Sequence, residues 1–287
     1  MIYFKDLTWK ILHIGIVCEE HSFWPRVRYY LYCFNPFCIR DKPVRSQEIR
    51  IDSMPFYFIS SKKDSFKYVH MEKEFKKSLI SNYIWVKAID KNIILHMNLS
   101  RIYSDSKSVL HYGRSLSIGE IGCFLSHLKI WKEIVKKKLK YAIICEDDIS
   151  FRVSKKELGH RLSYLPKNTD VFYLDIRANK LIFANKYYSF LPNKGEQLIG
   201  SACYFVTLNG ARKLVSGALP VQMAVDDYLG RANFRSGVKL LMSSKPLVHN
   251  HGYTYLPPES SFGSEIEPER RLKREKIINL QRKTKNV

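Results

Sequence analysis

Five consecutive apolar residues, Tyr141-Ala142-Ile143-Ile144-Cys145, run straight into Glu146-Asp147-Asp148. A short apolar run without polar alternation marks a strand covered on both faces, as at the centre of a parallel α/β sheet. Three adjacent carboxylates then stand at the strand's carboxyl end, where open α/β sheets bind their ligands. They repel one another unless a cation or hydrogen-bond donors compensate. Oxygen-rich clusters of this kind suit Mg²⁺ or Mn²⁺, which bridge to substrate phosphates. An exposed acidic turn is the plainer alternative, and spacing alone does not separate the two.

The flanking pattern fits such a sheet. Phe56-Tyr57-Phe58-Ile59 reads as a buried strand, closed by the polar turn Ser60-Ser61-Lys62-Lys63-Asp64. A helix follows from Phe66 to Leu79, then a strand at Tyr83-Ile84-Trp85-Val86 that ends at Ala88-Ile89-Asp90. From Gly119 to Lys140, Ile121, Phe124, Leu125, Leu128, Trp131, Val135 and Leu139 recur at helical spacing and define one buried face. Lys129, Lys132, Lys136, Lys137 and Lys140 populate a solvated remainder. Residues 200–214 read as strand, turn and helix. Alternating strands and helices predict an α/β fold with a mostly parallel sheet flanked by helices.

Both ends of the chain differ from this core. Residues 1–53 are rich in aromatics, broken by Pro25, Pro36 and Pro43, and carry a net +2 from eight basic and six acidic residues. They read as a small N-terminal accessory segment ahead of a main domain at 54–262. Residues 263–287 form a basic tail in which Ser264 to Val287 carry eight basic against four acidic residues, +4. That tail is solvated or rests on an anionic membrane face.

Composition narrows the partners. The net charge of +21 implies a polyanion: nucleic acid, an anionic membrane face or phosphorylated substrates. The chain carries no zinc-finger, RRM, KH or helix-turn-helix signature, and its basic residues are scattered, so no specific nucleic acid is expected. The six cysteines lack paired C-x-x-C spacing and read as reduced thiols. Lys5, Asp6 and Lys10 interrupt the amino-terminal apolar stretch, which argues against a secretory signal. The expected location is cytoplasmic, with peripheral association at the inner membrane as the tail's alternative role.

One longer pattern is more specific. The run Leu116-Ser117-Ile118-Gly119-Glu120-Ile121-Gly122-Cys123-Phe124-Leu125-Ser126-His127-Leu128, then Trp131, then Ile144-Cys145-Glu146-Asp147-Asp148, resembles glycosyltransferase family 25. The likeness extends to Phe58-Ile59-Ser60, Ala88-Ile89-Asp90, the segments 200–206 and 210–214, Pro220 and Val225-Asp226-Asp227. It covers about residues 54–262. It departs at Lys62-Lys63-Asp64-Ser65, where the family usually has an Arg-containing loop, and at Asp227, a position often not acidic.

The resemblance implies a GT-A-like, Rossmann-related fold and an inverting hexosyl transfer. The donor is a UDP-sugar, most often UDP-galactose, and the acceptor is an oligosaccharide or lipid-linked glycan such as lipooligosaccharide. It implies Mn²⁺ or Mg²⁺ held by Asp148 and Asp147, with His251 as a further ligand and Glu146 and Asp147 against the donor. Asp226 or Asp227 becomes the base, unless the pair is simply a helix N-cap. Gly119 and Gly122 would let the donor approach the backbone, with Glu120 and His127 beside it. Alternatively, Ser117 and Glu120 form a capping box and His127 is a satisfied core residue. His249 and His251 alternate, so on a strand they would share one side. A basic nucleic-acid-binding protein, suggested by the net charge, and a degenerate transferase acting as an interaction module remain the competing functions.

Overall fold

The computed structural model describes residues 44–46, 48–175, 182–183, 185–190, 200–235 and 237–253. Residues 1–43 and the basic tail lie outside the described residues.

The elements follow the sequence pattern closely at first. Strand β1 spans Phe56–Ser60, helix α1 Phe66–Lys77 and strand β2 Tyr83–Lys87. Three short helices come next, α2 at Lys91–Leu95, α3 at Leu99–Ile102 and α4 at Asp105–Tyr112. The long helix α5 covers Ile118–Lys136, and β3 covers Tyr141–Glu146. The helix was expected to reach Lys140 but stops earlier. Lys138 takes a left-handed φ of 53°, which reverses the chain in time for β3 to begin. The five lysines of the outer face are all exposed.

The second half is built from shorter pieces: β4 Ile149–Phe151, α6 Lys155–Leu162, β5 Val171–Tyr173, β6 Ile182–Phe183 and β7 Tyr188–Phe190. Then come β8 Cys203–Thr207, α7 Leu208–Ser216, α8 Val225–Arg235, β9 Leu240–Ser243 and β10 Val248–Asn250. The main sheet has the order β2-β1-β3-β8-β5-β9-β7-β6, and β10 pairs separately with β4. β1 is parallel to β2 and β3, and β5 to β9, while β8 and β7 run against their neighbours. Six of the eight strands therefore point the same way. This is the mostly parallel α/β sheet of a Rossmann-like GT-A fold.

Alternation along the strands splits the core into two layers. Tyr57, Ile59, Ala142 and Ile144 face a cluster with Ile121, Leu125 and Trp131 of α5 and Leu229 of α8. Phe56, Phe58, Ile143 and Cys145 face the opposite cluster, with Met71 and Phe75 of α1 and Leu158 and Leu162 of α6. The described end of the accessory segment docks on this second layer. Ser46 N donates to Ser163 O at 2.9 Å, and Lys155 pairs with Asp52 at 2.6 Å. Among the described residues no helix is long and apolar enough to cross a membrane.

Candidate active site

Helix α5 begins with a complete capping box: Ser117 Oγ accepts from Glu120 N at 3.1 Å, and Glu120 accepts from Ser117 N at 2.7 Å. The Glu120 carboxylate, buried to 1 % exposure, also takes a bidentate pair from Arg114 at 2.8 Å to each oxygen. A carboxylate this fully engaged has its lone pairs committed to architecture. Gly122 does permit a close approach, but by the chain itself: a Cβ there would lie 2.2 Å from the Ile89 carbonyl oxygen. Ser126 Oγ reinforces that contact by accepting from Ile89 N at 2.8 Å. The loop 88–90 is thereby clamped onto α5, with Gly119 half-buried in the same first turn.

β3 delivers the acidic turn to the carboxyl edge of the parallel strands. Glu146 faces α5, where its Oε1 accepts a short hydrogen bond from Ser201 Oγ and lies 3.4 Å from His127 Nε2. His127 is fully buried, and its Nδ1 pairs with the Tyr204 hydroxyl at 2.8 Å. That hydroxyl also accepts from Trp131 Nε1 at 2.9 Å, and burial holds its pKa well above the usual phenol value. Cys123 sits one helical turn before His127. Among the described residues, Cys123, His127 and Glu146 form the one trio of ligand-type side chains whose atoms all lie within 4.8 Å of one another.

Asp147 and Asp148 occupy the other side of the turn. Lys67 Nζ of α1 stands 3.9 Å from Asp147. The Asp148 carbonyl accepts from His251 N at 2.7 Å, and a Cβ at Gly252 would meet Asp148 Oδ2 at 2.2 Å. Any side chain at 252 would push that carboxylate out of its present place. β10 ends at Asn250, so His251 opens a 3-10 turn instead of continuing the expected strand. The turn brings its ring to 4.7 Å from His249 and 5.4 Å from His70, with Nε2 at 2.8 Å from Ser150 Oγ. Burial, then the neighbouring His249 and His70, push the His251 pKa below its usual 6.5. At neutral pH it is the uncharged imidazole, the form that ligates metals.

The two carboxylates of the turn after β3 and the neutral imidazole of the turn after β10, joined through the His251 N to Asp148 O bond, form a donor set whose chemistry suits Mg²⁺ or Mn²⁺. Asp147, Asp148 and His251 do not converge as tightly as the trio around His127. A hard divalent ion needs only one or two of these side chains as direct ligands, because it retains water and completes its shell with substrate phosphates.

Asp226 and Asp227 lie in the first turn of α8, just inside the helix. Asp226 Oδ1 accepts from Asp227 N at 3.0 Å, and its Oδ2 accepts from Gly200 N at 2.9 Å. Asp227 is buried and receives a short hydrogen bond from the Tyr112 hydroxyl, which itself accepts from Ala224 N at 3.0 Å. Burial and the Asp227 charge push the Tyr112 pKa far upward. The two aspartates thus separate: Asp227 ties α8 to α4, while half-buried Asp226 holds Gly200. Ser201, the next residue, bonds Glu146, so the segment 200–201 couples Asp226 to the acidic turn.

Sequence reasoning missed Ser201, Tyr204 and Tyr112, whose partners lie far along the chain, and also Arg114, whose partner Glu120 is only six residues on. The helical spacing of Cys123 and His127 was a signal available from sequence. A cavity of about 630 Å³ lies at the opposite ends of β1 and β3, beside Arg50, Lys138, Lys140 and Tyr141. Ligands of open α/β sheets bind at the carboxyl ends of strands, so the acidic turn is the better candidate despite that cavity.

The family described as glycosyltransferase family 25 (LPS biosynthesis protein) matches residues 54–229. Procollagen galactosyltransferase 1-B of Xenopus laevis is 28% identical over 158 residues, covering 51% of this chain and 25% of the relative. Procollagen galactosyltransferase 2 of Homo sapiens is 31% identical over 156 residues, covering 50% and 24%. The probable inactive glycosyltransferase 25 family member 3 of Rattus norvegicus is 30% identical over 159 residues, covering 50% and 26%. The chain therefore spans about a quarter of the length of these relatives. With more than half of its residues matched by the family, this chain belongs to glycosyltransferase family 25.

Proposed function

We propose that the chain transfers a hexose, galactose foremost, from a UDP-sugar to a glycan acceptor such as lipooligosaccharide, with inversion at the anomeric carbon. The observation that carries this reading is the link from Asp226 through Gly200 and Ser201 to the Glu146-Asp147-Asp148 turn. It couples a carboxylate suited to proton abstraction to carboxylates suited to a diphosphate-bound cation. The names of the procollagen galactosyltransferases support galactose, and the family description supports a lipopolysaccharide acceptor. Because a relative at similar identity is described as inactive, identity does not distinguish turnover from a degenerate module. The retained acidic turn favours turnover.

Asp148, Asp147 and His251 would hold Mn²⁺ or Mg²⁺, which when bound supplies positive charge to the departing diphosphate. Lys67, beside Asp147, adds positive charge on the same side. Asp226 accepts the proton of the attacking hydroxyl, its carboxylate fixed by two backbone N–H donors. Asp227 positions that turn through Tyr112. The +21 net charge favours anionic partners, including a lipid-linked acceptor at the cytoplasmic face of the inner membrane, where the basic tail would rest.

The test is a panel of nucleotide sugars, assayed for hydrolysis and transfer with and without Mn²⁺. UDP-galactose turning over only with the metal is the expected result. No turnover of any nucleotide sugar under either condition would favour the degenerate module.

A further inference from the structure

His127 presents an uncommon situation. Its side chain is fully buried, Nδ1 is bonded to Tyr204, and among the described residues Nε2 has no hydrogen-bond partner. A buried polar atom left in that state is costly. Nε2 points to Glu146 Oε1 across 3.4 Å, long for a hydrogen bond. That separation has another meaning. Two ligand atoms held about 2.0–2.1 Å from one tetrahedral ion are about 3.3–3.4 Å apart. Cys123 Sγ completes the group, all within 4.8 Å, and its i, i+4 spacing from His127 places both on one face of α5.

We propose that Cys123, His127 and Glu146 form a second cation site, distinct from the Asp147-Asp148 turn and selective for a borderline-soft divalent ion of the Zn²⁺ class. A thiolate and an imidazole select such an ion over Mg²⁺ or Mn²⁺. On binding, the Cys123 thiol releases its proton to solvent and the sulfur lone pair enters the metal bond. His127 binds through Nε2 with its ring proton on Nδ1, donated to Tyr204, whose oxygen Trp131 also engages. That arrangement orients the imidazole as outer partners do at metal sites. Cys123 and Glu146 are each half-exposed and give the ion a path in, with a fourth position left to water. The bound ion would tie α5 to the end of β3. The site does not depend on the proposed transferase reaction.

Co²⁺ is the spectroscopic probe, titrated into the full chain after removal of metal with a chelator. Expected are a stoichiometric tetrahedral Co²⁺ spectrum with a thiolate-to-cobalt band, displaced by Zn²⁺. Cys123→Ser should abolish that band and weaken Co²⁺ binding at least about ten-fold. Asp148→Asn should leave the spectrum intact, so failure of the diphosphate site and failure of this site are distinguishable. A readout on the unaltered protein is alkylation of Cys123, followed by mass spectrometry: Zn²⁺ should slow it at least about ten-fold by removing the free thiolate. A Co²⁺ spectrum without a thiolate band, a band that survives Cys123→Ser, or alkylation indifferent to Zn²⁺ would each overturn the proposal.

Discussion

On the α5 side of the turn after β3, Glu146 meets His127 and Ser201 within a packed network that Tyr204 and Trp131 hold in place. On the other side, Asp147 faces Lys67 at 3.9 Å, and the Asp148 carboxylate lies against Gly252. The first side is organised by the protein's own interior. The second brings two carboxylates, a lysine and the turn that carries His251 together at the carboxyl edge of the sheet. Glu146 and Asp148, only two positions apart in sequence, therefore stand in different surroundings. Substitutions on the two sides should separate stability from turnover.

Asp148→Ala should have the largest effect, lowering transfer by about a thousand-fold, or ~4 kcal/mol of barrier. Its melting midpoint should stay near that of the parent, by steady-state assay alongside thermal denaturation. Arg114→Ala should do the reverse. It strands the buried Glu120 carboxylate and should cost about 3 kcal/mol of stability in denaturant titration, while the folded fraction keeps its turnover. Asp226→Asn should lower transfer by about a hundred-fold, or ~2.7 kcal/mol, with UDP binding unchanged. Asp227→Asn should instead cost about 1–3 kcal/mol of stability, because Tyr112 loses its charged acceptor.

The smallest effect expected is a pH dependence. The folded pKa of His251 lies below its unfolded value of 6.5, so the unfolded chain binds more protons between the two values. Stability is then full above pH 6.5 and declines as pH falls towards the folded pKa. The metal-free chain should melt earlier across that window, and His251→Asn should flatten the decline. An unchanged slope in that variant would assign the titration elsewhere.

Much of the first half of the fold was legible, because β1, α1, β2 and β3 have apolar runs or helical periods that need no distant partner to be recognised. The antiparallel insertion of β8 between β3 and β5 was not legible, since alternation along Cys203–Thr207 is the same for either strand direction. β5 has only three residues, too few to show a period. Within the site, the acidic turn announced itself by position after an apolar strand. The division between Asp226 and Asp227 did not, because it depends on Gly200 and Tyr112, each remote in sequence. Glu120 had two readings from its spacing, and Arg114 supplies the physical reason for the architectural one.

The most direct measurement is the affinity of UDP for the full chain, by titration calorimetry with and without Mn²⁺, in the parent and in Asp148→Asn. Mn²⁺ should tighten UDP binding at least about ten-fold, or ~1.4 kcal/mol, in the parent and leave the variant unmoved. Equal affinity with and without Mn²⁺ in the parent would contradict the assignment of Asp147 and Asp148 to a diphosphate-bound cation.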